Sequence, residues 1–196
     1  MMINIVHLLW VIRIFRLDTM SIPQIILNMN LRKPTLLFSM VTFLVLVIDQ
    51  LTKSLIIRSM SLFSSFPEEG ILRLTYVVNS GSAFGLFQGM NSILIIVSLI
   101  GVVGIIWSYY IYALNNSFLQ VALALLLGGA FGNLADRIFR GAVVDFIDVR
   151  LYESIHFPAF NIADSSLSAG LFLLSCHWFL EVGRNAESTR TGDDVD

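Results

Sequence analysis

Apolar residues fill long stretches of this chain, and charged residues interrupt them at only a few points. The longest stretch without Asp, Glu, Lys or Arg lies between Arg73 and Asp136 and holds 62 residues. A helix needs about 20 apolar residues to cross the hydrocarbon core of a bilayer. This stretch therefore predicts two membrane-spanning helices, and the polar run Asn115-Asn116-Ser117 marks the turn between them.

Two further apolar segments flank this pair, one over residues 36–57 and one over residues 162–180. Together the four segments predict an all-α membrane protein with four transmembrane helices. Basic residues favour the cytoplasmic side of a membrane, and four of them precede the first span: Arg13, Arg16, Arg32 and Lys33. We therefore expect both termini in the cytoplasm and the loops over residues 58–91 and 136–160 on the outer side.

Two shorter segments have the composition of β-strands. β-branched and aromatic residues lead up to Asn79-Ser80-Gly81, which predicts a strand, a turn and a return strand within residues 71–87. Residues 143–148, which follow Gly141, have the same character. These segments predict a small extended platform on the outer surface, although residues 71–87 alone also fit a simple interfacial loop.

Composition supports lipid as the solvent. The chain is 56% hydrophobic and 13% charged, with a mean hydropathy of +0.80, whereas soluble domains contain about 25% charged residues. The net charge of −2 gives no support for binding to nucleic acid, and the single cysteine, Cys176, excludes an internal disulfide.

The chain length fits one membrane domain, over residues 34–183. We expect a cytoplasmic extension before it, at residues 1–33, and a polar tail after it, at residues 184–196. Because the chain becomes polar at Glu181, we expect disorder from that residue onward. The extension fits neither a secretory signal nor an amphipathic anchor. Met29 offers an alternative start, so we expect the residues before it to be dispensable.

Asp49 and Lys53 lie four residues apart in the first span and share one face of the helix. A single charge near the centre of a bilayer costs about 2.5–3.5 kcal/mol, so such residues usually face the protein interior and pair. The favoured interpretation is a structural ion pair. A direct catalytic role for Lys53 is the alternative.

The third span ends with four small residues, Gly128, Gly129, Ala130 and Gly132, and the polar residues Asn133, Asp136 and Arg137 lie in the turns that follow. Small residues let membrane helices approach closely. Asn133 lies three residues before Asp136 and four before Arg137, so we expect one helix face to carry an amide and both ends of an ion pair.

Asp145 is flanked by apolar residues, and Asp164 lies at the third position of the fourth helix, after the expected N-cap Asn161. Each acid also has a simpler interpretation, because a loop aspartate is usually solvated and Asp164 alone could cap its helix. Both, however, fall at the same membrane boundary, 19 residues apart. Two carboxylates that converge at a half-buried site suit general acid–base hydrolysis of an amide bond.

Other classes of protein remain possible at this stage. A transporter or channel also pairs acidic residues in a helical bundle, but these acids lie at one boundary and no internal repeat is visible. A serine–lysine protease would use Lys53, yet no serine is clearly placed beside it. A non-enzymatic scaffold would leave the polar residues unexplained, and the scattered His7, His156 and His177 do not form a zinc-protease motif.

Four motif blocks, in order, resemble those of the bacterial lipoprotein signal peptidase family, also called signal peptidase II. They are Asp49-Gln50-Leu51-Thr52-Lys53, then Asn79-Ser80-Gly81-Ser82-Ala83-Phe84-Gly85, then Gly132-Asn133-Leu134-Ala135-Asp136-Arg137 with Val144-Asp145-Phe146, and finally Phe157-Pro158-Ala159-Phe160-Asn161-Ile162-Ala163-Asp164. The resemblance covers residues 34–180.

The resemblance implies a four-helix enzyme of the bacterial inner membrane, with a small extracytoplasmic β platform and its active site at the outer face. It implies an aspartic endopeptidase that removes signal peptides from diacylglyceryl-modified prolipoproteins by cutting before the lipidated cysteine, without a metal or other cofactor. The substrates and membrane lipids are the expected partners, and we expect a monomer. The family's catalytic pair corresponds to Asp145 and Asp164, and the supporting residues correspond to Asp49, Lys53, Asn79, Gly81, Asn133, Asp136, Arg137 and Asn161.

Overall fold

Four long helices form the bundle in this computed structural model, which describes residues 35–81, 87–152 and 155–192. The helices are α1 (Leu36–Ser59), α2 (Asn91–Ser108), α3 (Ser117–Phe139) and α4 (Ile162–Gly192). Each contains, alone or with the turn that follows it, an apolar segment of 23 or 24 residues. Such a segment is about 35 Å long and exceeds the roughly 30 Å hydrocarbon core. The four predicted spans are therefore confirmed.

Helix α3 is the central helix of the bundle. Of its apolar window 67% is buried, compared with 22% or less for the other three helices. The core around it includes Phe38 of α1, Val102 of α2, and Leu123 and Leu127 of α3 itself. The outer faces of α1, α2 and α4 carry exposed apolar side chains, as expected of surfaces that contact lipid.

Glycines allow α3 to approach both of its neighbours closely. A Cβ atom at Gly128 would lie 2.7 Å from the Cβ of Val45 on α1. A Cβ atom at Gly129 would lie 2.5 Å from the backbone oxygen of Ala163 on α4. Atoms cannot pack this closely, so the small residues predicted at this contact are needed for the observed helix separation.

The turn between α2 and α3 lies at the predicted position. Helix α2 continues into a π-helical turn, Tyr109–Ala113, and Asn116 then caps α3 by accepting from the N–H of Leu119 over 3.1 Å. The buried Gln120 accepts a hydrogen bond from the Thr35 hydroxyl over 2.7 Å. This polar contact, which no sequence motif predicted, ties the start of α1 to the start of α3.

A small antiparallel sheet joins the helices at one end of the bundle. Its strands are β1 (Ser65–Phe66), β2 (Leu72–Asn79), β3 (Val143–Tyr152) and β4 (Ile155–Phe160), in the order β1-β2-β3-β4. The predicted extended platform is therefore confirmed as a four-stranded sheet. It positions β3 directly after α3 and β4 directly before α4.

Two local expectations need comment. The return strand expected after Asn79 would fall largely on residues 82–86, which lie outside the described residues; the described partners of β2 are β1 and β3. The disorder expected from Glu181 is wrong up to Gly192, because α4 continues to that residue. An i,i+3 ion pair between Glu181 and Arg184 supports this extension.

The extension expected at residues 1–33, including the possible start at Met29, also lies outside the described part of the chain. Its cytoplasmic location and its dispensability stay predictions.

Candidate active site

A cavity of about 800 Å³ lies between the sheet, the C-terminal end of α3 and the N-terminal end of α4. Its walls combine apolar residues with a small number of polar groups, which is typical of binding sites. The polar residues that line it are Asn79, Ser80, Gln88, Asn133, Arg137, Asp145, Asp164, Ser165 and Ser168.

Asp145 enters the cavity from β3, between the buried residues Val144 and Phe146. Only 3% of it is exposed. Its Oδ1 accepts a hydrogen bond from the side-chain amide of Asn161 over 2.7 Å, and its Oδ2 accepts one from Asn79 over 3.1 Å. Burial, together with the nearby charge of Asp164, raises the pKa of Asp145 to about 7, and the two hydrogen bonds only partly oppose this rise.

Asp164 faces the same cavity from the first turn of α4. Its backbone N–H donates to Asn161 Oδ1 over 2.9 Å, while its Oδ2 accepts from the Asn161 backbone N–H over 3.2 Å. This reciprocal pair confirms the predicted cap. Its other oxygen, Oδ1, accepts from the side-chain amide of Asn133 over 2.7 Å, so capping is only part of what Asp164 does here.

Asn161 is fully buried and contacts both carboxylates. It is the last residue before α4 and follows β4 directly, so its position depends on both the sheet and the bundle. Its amide nitrogen also lies 3.2 Å from Asn133 Oδ1. The structure thus brings Asp145 and Asp164, which the sequence places 19 residues apart, to one cavity and links them through one asparagine.

Lys53 lies behind these residues in a fully buried cluster. Its ammonium contacts Asp49 and Asp136 at 2.9 Å each and donates to Asn133 Oδ1 over 3.1 Å. An ammonium has three N–H donors, and all three have an acceptor here. The predicted Asp49–Lys53 ion pair is confirmed. With its three donors engaged and no contact with the cavity, Lys53 fits the structural interpretation rather than the catalytic alternative.

The ion pair expected between Asp136 and Arg137 is wrong. Asp136 instead pairs with Lys53 and with Arg140, and its Oδ2 accepts from the backbone N–H of Val144 over 3.1 Å. Adjacent residues project about 100° apart on a helix, so Asp136 and Arg137 cannot face the same partner. The sequence analysis missed Arg140, although its i,i+4 spacing from Asp136 is the spacing of a helical ion pair.

Arg137 instead faces the cavity, where it contacts the turn after β2. Its guanidinium donates to the backbone oxygen of Gly81 over 3.2 Å. The backbone N–H of Gly81 in turn donates to Asn79 Oδ1 over 2.9 Å, which leaves the amide of Asn79 directed at Asp145. Asn79, Gly81 and Arg137 are therefore brought together at one edge of the cavity, as the shared motif blocks suggested.

Gln50 and Asp49 tie α1 to the other two helices of the site. Gln50 Nε2 lies 3.1 Å from Asp136 Oδ1 and 3.1 Å from the backbone oxygen of Gly132, both on α3. Asp49 Oδ1 accepts from the backbone N–H of Ala163 on α4 over 2.9 Å. Gln50 belongs to the first motif block, but its place in the sequence did not indicate these contacts.

Asp148 follows Asp145 on β3 but belongs to a different cluster. It forms an ion pair with Arg73 and accepts from the hydroxyl of Thr75 over 2.9 Å. It does not line the cavity. Burial acts to raise the pKa of Asp148, but the bonds from Arg73 and Thr75 outweigh it and hold the pKa below its ordinary value.

Comparison with known proteins agrees with the motif blocks. Residues 41–180 match the family model described as signal peptidase (SPase) II. The lipoprotein signal peptidase of Bacillus pumilus is 40% identical over 153 residues, which are 78% of this chain and 98% of that protein. The lipoprotein signal peptidase of Syntrophotalea carbinolica is 40% identical over 144 residues, covering 71% of this chain and 89% of that protein.

Two solved structures of a bacterial membrane enzyme resemble the fold. One has a TM-score of 0.70 and 34% sequence identity, and the match covers 75% of this chain and 90% of the chain in that structure. The other has a TM-score of 0.64 and 36% identity, with coverage of 72% and 91%.

Proposed function

The chain belongs to the signal peptidase II family, and on that premise we propose that Asp145 and Asp164 act together as the catalytic pair of an aspartic endopeptidase. As a member of this family the protein is a multi-pass inner-membrane protease that removes signal peptides from prolipoproteins. The observation that supports the catalytic assignment is that both carboxylates face one cavity and are linked through Asn161.

The two carboxylates differ in the way that acid–base chemistry requires. Asp145 has a pKa of about 7, mainly because of its burial, and so holds a proton below that pH. Asp164 accepts N–H donors from Asn133 and Asn161 and lies at the N-terminus of α4, where a negative charge is favoured. We therefore assign Asp145 as the acid and Asp164 as the base at the start of the reaction.

The proton transfers balance over one cycle. Asp164 takes a proton from a water molecule as the water oxygen bonds to the scissile carbonyl carbon, and Asp145 gives its proton to the carbonyl oxygen. The resulting tetrahedral intermediate then collapses: Asp164 passes its proton to the leaving nitrogen, the C–N bond breaks, and Asp145 recovers a proton from the hydroxyl group. Such a pair requires no covalent intermediate.

We propose that the site lies at the outer face of the membrane. The basic residues before α1 favour a cytoplasmic N-terminus. The sheet and the cavity then lie on the opposite side, at the end of α3 and the start of α4. A transporter would place its paired acids near the midplane, whereas Asp164 occupies a first helical turn and Asp145 lies in the sheet.

We propose that the substrate is a prolipoprotein whose cysteine already carries diacylglycerol, and that the cut falls just before this cysteine. The signal helix and the acyl chains both partition into lipid, so the bilayer aligns the scissile bond with a site at its surface. Action as a monomer stays a prediction.

A cleavage assay on matched precursors tests this function. Purified enzyme in lipid nanodiscs is given one precursor peptide with a diacylglyceryl-modified cysteine and the same peptide with an unmodified cysteine. We expect cleavage of the lipidated peptide at the bond before the cysteine and little cleavage of the other. Failure to cleave the lipidated peptide, or cleavage at another bond, would refute the proposed function.

A further inference from the structure

Among the residues that the structure describes, strand β2 has an unpaired backbone edge where it borders the cavity. In an antiparallel strand, the N–H and C=O of one residue point to the same side, and successive residues alternate between sides. Tyr76 points toward the chain that leads into β1: its oxygen accepts from the N–H of Phe63 over 2.8 Å, and its N–H donates to the oxygen of Ser64 over 3.1 Å. Val78, two residues later, points the same way.

Neither β1 nor β3 forms a backbone hydrogen bond with Val78. Strand β1 ends its pairing at Thr75, and the chain that leads into it bonds no further than Tyr76. On the other side β3 lies opposite Val78, with Val144 as its register partner. The N–H of Val144 donates to Asp136 Oδ2 over 3.1 Å and its oxygen accepts from Asn161 over 3.3 Å, so the backbone of Val144 points away from β2 and the pair is of the non-hydrogen-bonded kind. Among the described residues, the N–H and C=O of Val78 therefore have no partner.

We propose that this edge of Val78 binds the main chain of the substrate, which joins the sheet as an added strand beside β2. The proposal rests on the proposed function, since the strand is a segment of the prolipoprotein. Val78 is 41% exposed and, with Val77 and Asn79, lines the cavity that holds the acid pair. An exposed strand edge that binds an extended peptide recognises its backbone and tolerates varied side chains.

The opposite wall of the cavity differs in kind. It is formed by β4, the other edge strand, through Phe157, Pro158, Ala159 and Phe160. Proline has no N–H to donate, so this edge is poorly suited to backbone pairing and offers mainly apolar surface. The two walls therefore have different roles: β2 offers backbone hydrogen bonds to the substrate, and β4 offers apolar surface.

The spacing of the sheet identifies the substrate segment. Neighbouring strands lie about 4.8 Å apart, so a strand added to β2 lies about 10 Å from β3, which carries Asp145. About three extended residues, at roughly 3.3 Å each, cover that distance. The signal helix remains in the bilayer, so the chain that reaches the sheet is the part after the cut. The residue that pairs with Val78 is thus about the third after the scissile bond.

Val78→Pro tests the pairing directly. Proline removes the outward N–H but leaves the bonds between β2 and β3, and strands tolerate it at such an edge position. Val78→Ala is the matched control, since it shortens the side chain and keeps the N–H. Binding is measured by fluorescence anisotropy with a labelled lipidated peptide, on an Asp145→Asn background in which cleavage cannot interfere. We expect the Kd to rise about tenfold for Val78→Pro, the effect of losing one to two hydrogen bonds, and to change little for Val78→Ala.

A substrate series supplies the second measurement. Lipidated peptides carry one ester in place of one amide, at each of the first five positions after the cut, so each lacks a single N–H. We expect a weaker Kd for the ester near the third position, and we expect this loss to shrink in Val78→Pro, where the same pair is already broken. Equal binding of all esters to the Asp145→Asn protein would overturn the proposal, even if Val78→Pro failed to fold.

The proposal would also be overturned if, on the Asp145→Asn background, folded Val78→Pro bound the lipidated peptide as tightly as the protein with Val78 unchanged. Either result leaves the proposed function intact as long as the parent enzyme cleaves the lipidated peptide, so the two proposals fail separately.

Discussion

The ammonium of Lys53 donates to Oδ1 of Asn133 over 3.1 Å, at a point where Lys53 is fully buried. This bond determines which end of the Asn133 amide faces Asp164. With its oxygen held by Lys53, the amide must present its nitrogen to Asp164, which it contacts at 2.7 Å. The relay lets a residue that does not reach the cavity influence one of the two carboxylates.

Replacement of Lys53 should therefore lower both stability and activity without abolishing cleavage. Lys53→Ala leaves Asp49 and Asp136 buried with one fewer cation, and breaking a buried pair in this way costs about 3–5 kcal/mol. Lys53→Met combined with Asp49→Asn keeps the charge balance, because Asp136 retains Arg140. We expect this double variant to be more stable than Lys53→Ala, with kcat reduced up to about 100-fold by the misplaced amide.

Thermal unfolding in detergent and cleavage per folded enzyme are the measurements. A double variant that folds as well as the parent and has no detectable activity would contradict the supporting role and place Lys53 in the chemistry.

The close contact between α3 and α4 predicts a large effect from a single methyl group. In Gly129→Ala the added carbon would meet the backbone oxygen of Ala163 at 2.5 Å, and backbone cannot move aside as a flexible side chain can. We expect a loss of about 1–3 kcal/mol in stability and reduced activity, because Ala163 precedes Asp164. Gly101→Ala on α2 is the control, since no atom lies within 4 Å of the added carbon. Equal unfolding temperatures for the two variants would contradict this account of the contact.

The sequence predicted the four spans, the platform and the cap of α4 because each depends on local pattern. Hydropathy alone defines a span, and the spacing of Asn161 and Asp164 is enough to predict a cap. The ion-pair partner of Asp136 was mispredicted because it depends on how α3 is rotated relative to α1. This rotation places Lys53 on one side of α3 and the cavity on the other.

The register of the strands and the contacts between distant residues could likewise not be predicted from the sequence. The pairing of β2 with β3 joins residues about 70 positions apart, and only the folded sheet shows that Val77 lies opposite Asp145. Gln50 could have been noticed as a polar residue inside a span, where such groups usually have a partner.

The raised pKa of Asp145 predicts that activity falls as the pH rises through about 7. The acid must carry its proton at the start of the cycle, and above that pH the proton is lost. A profile of kcat/KM against pH on the lipidated peptide measures this, and the apparent pKa that it gives belongs to the coupled pair of carboxylates. A rate that stays constant or increases up to pH 9 would contradict the assignment of Asp145 as the acid.

The same shift predicts a pH-dependent effect on stability. Because the pKa of Asp145 is higher in the folded protein than its ordinary value of 3.8, its contribution to stability is fully present below about pH 4 and is lost as the pH rises through about 7. Asp145→Asn cannot ionise, so it should gain a few kcal/mol relative to the parent between these limits. Unfolding temperatures of both proteins from pH 5 to 8 test this, and parallel curves would contradict it.

The proposed orientation predicts opposite labelling of two exposed positions. In a Cys176→Ser background, Ser61→Cys lies after α1 on the proposed outer side, and Asn115→Cys lies in the turn between α2 and α3 on the cytoplasmic side. A membrane-impermeant thiol reagent added to intact spheroplasts should label the first and not the second. Labelling of Asn115→Cys from outside would reverse the topology.

The most direct test of the central proposal is cleavage of the lipidated precursor by Asp145→Asn and Asp164→Asn. Asparagine is nearly isosteric with aspartate but cannot exchange the proton, so each variant should lose at least about 10²–10⁴-fold in rate while its expression stays close to that of the parent. The double variant should be scarcely slower than either single one, because residues that act as a unit are not additive. Asp148→Asn is the control: it should unfold at a lower temperature, because Arg73 loses its charged partner, yet cleave normally per folded enzyme. Near-normal cleavage by Asp145→Asn or by Asp164→Asn would contradict the proposed mechanism.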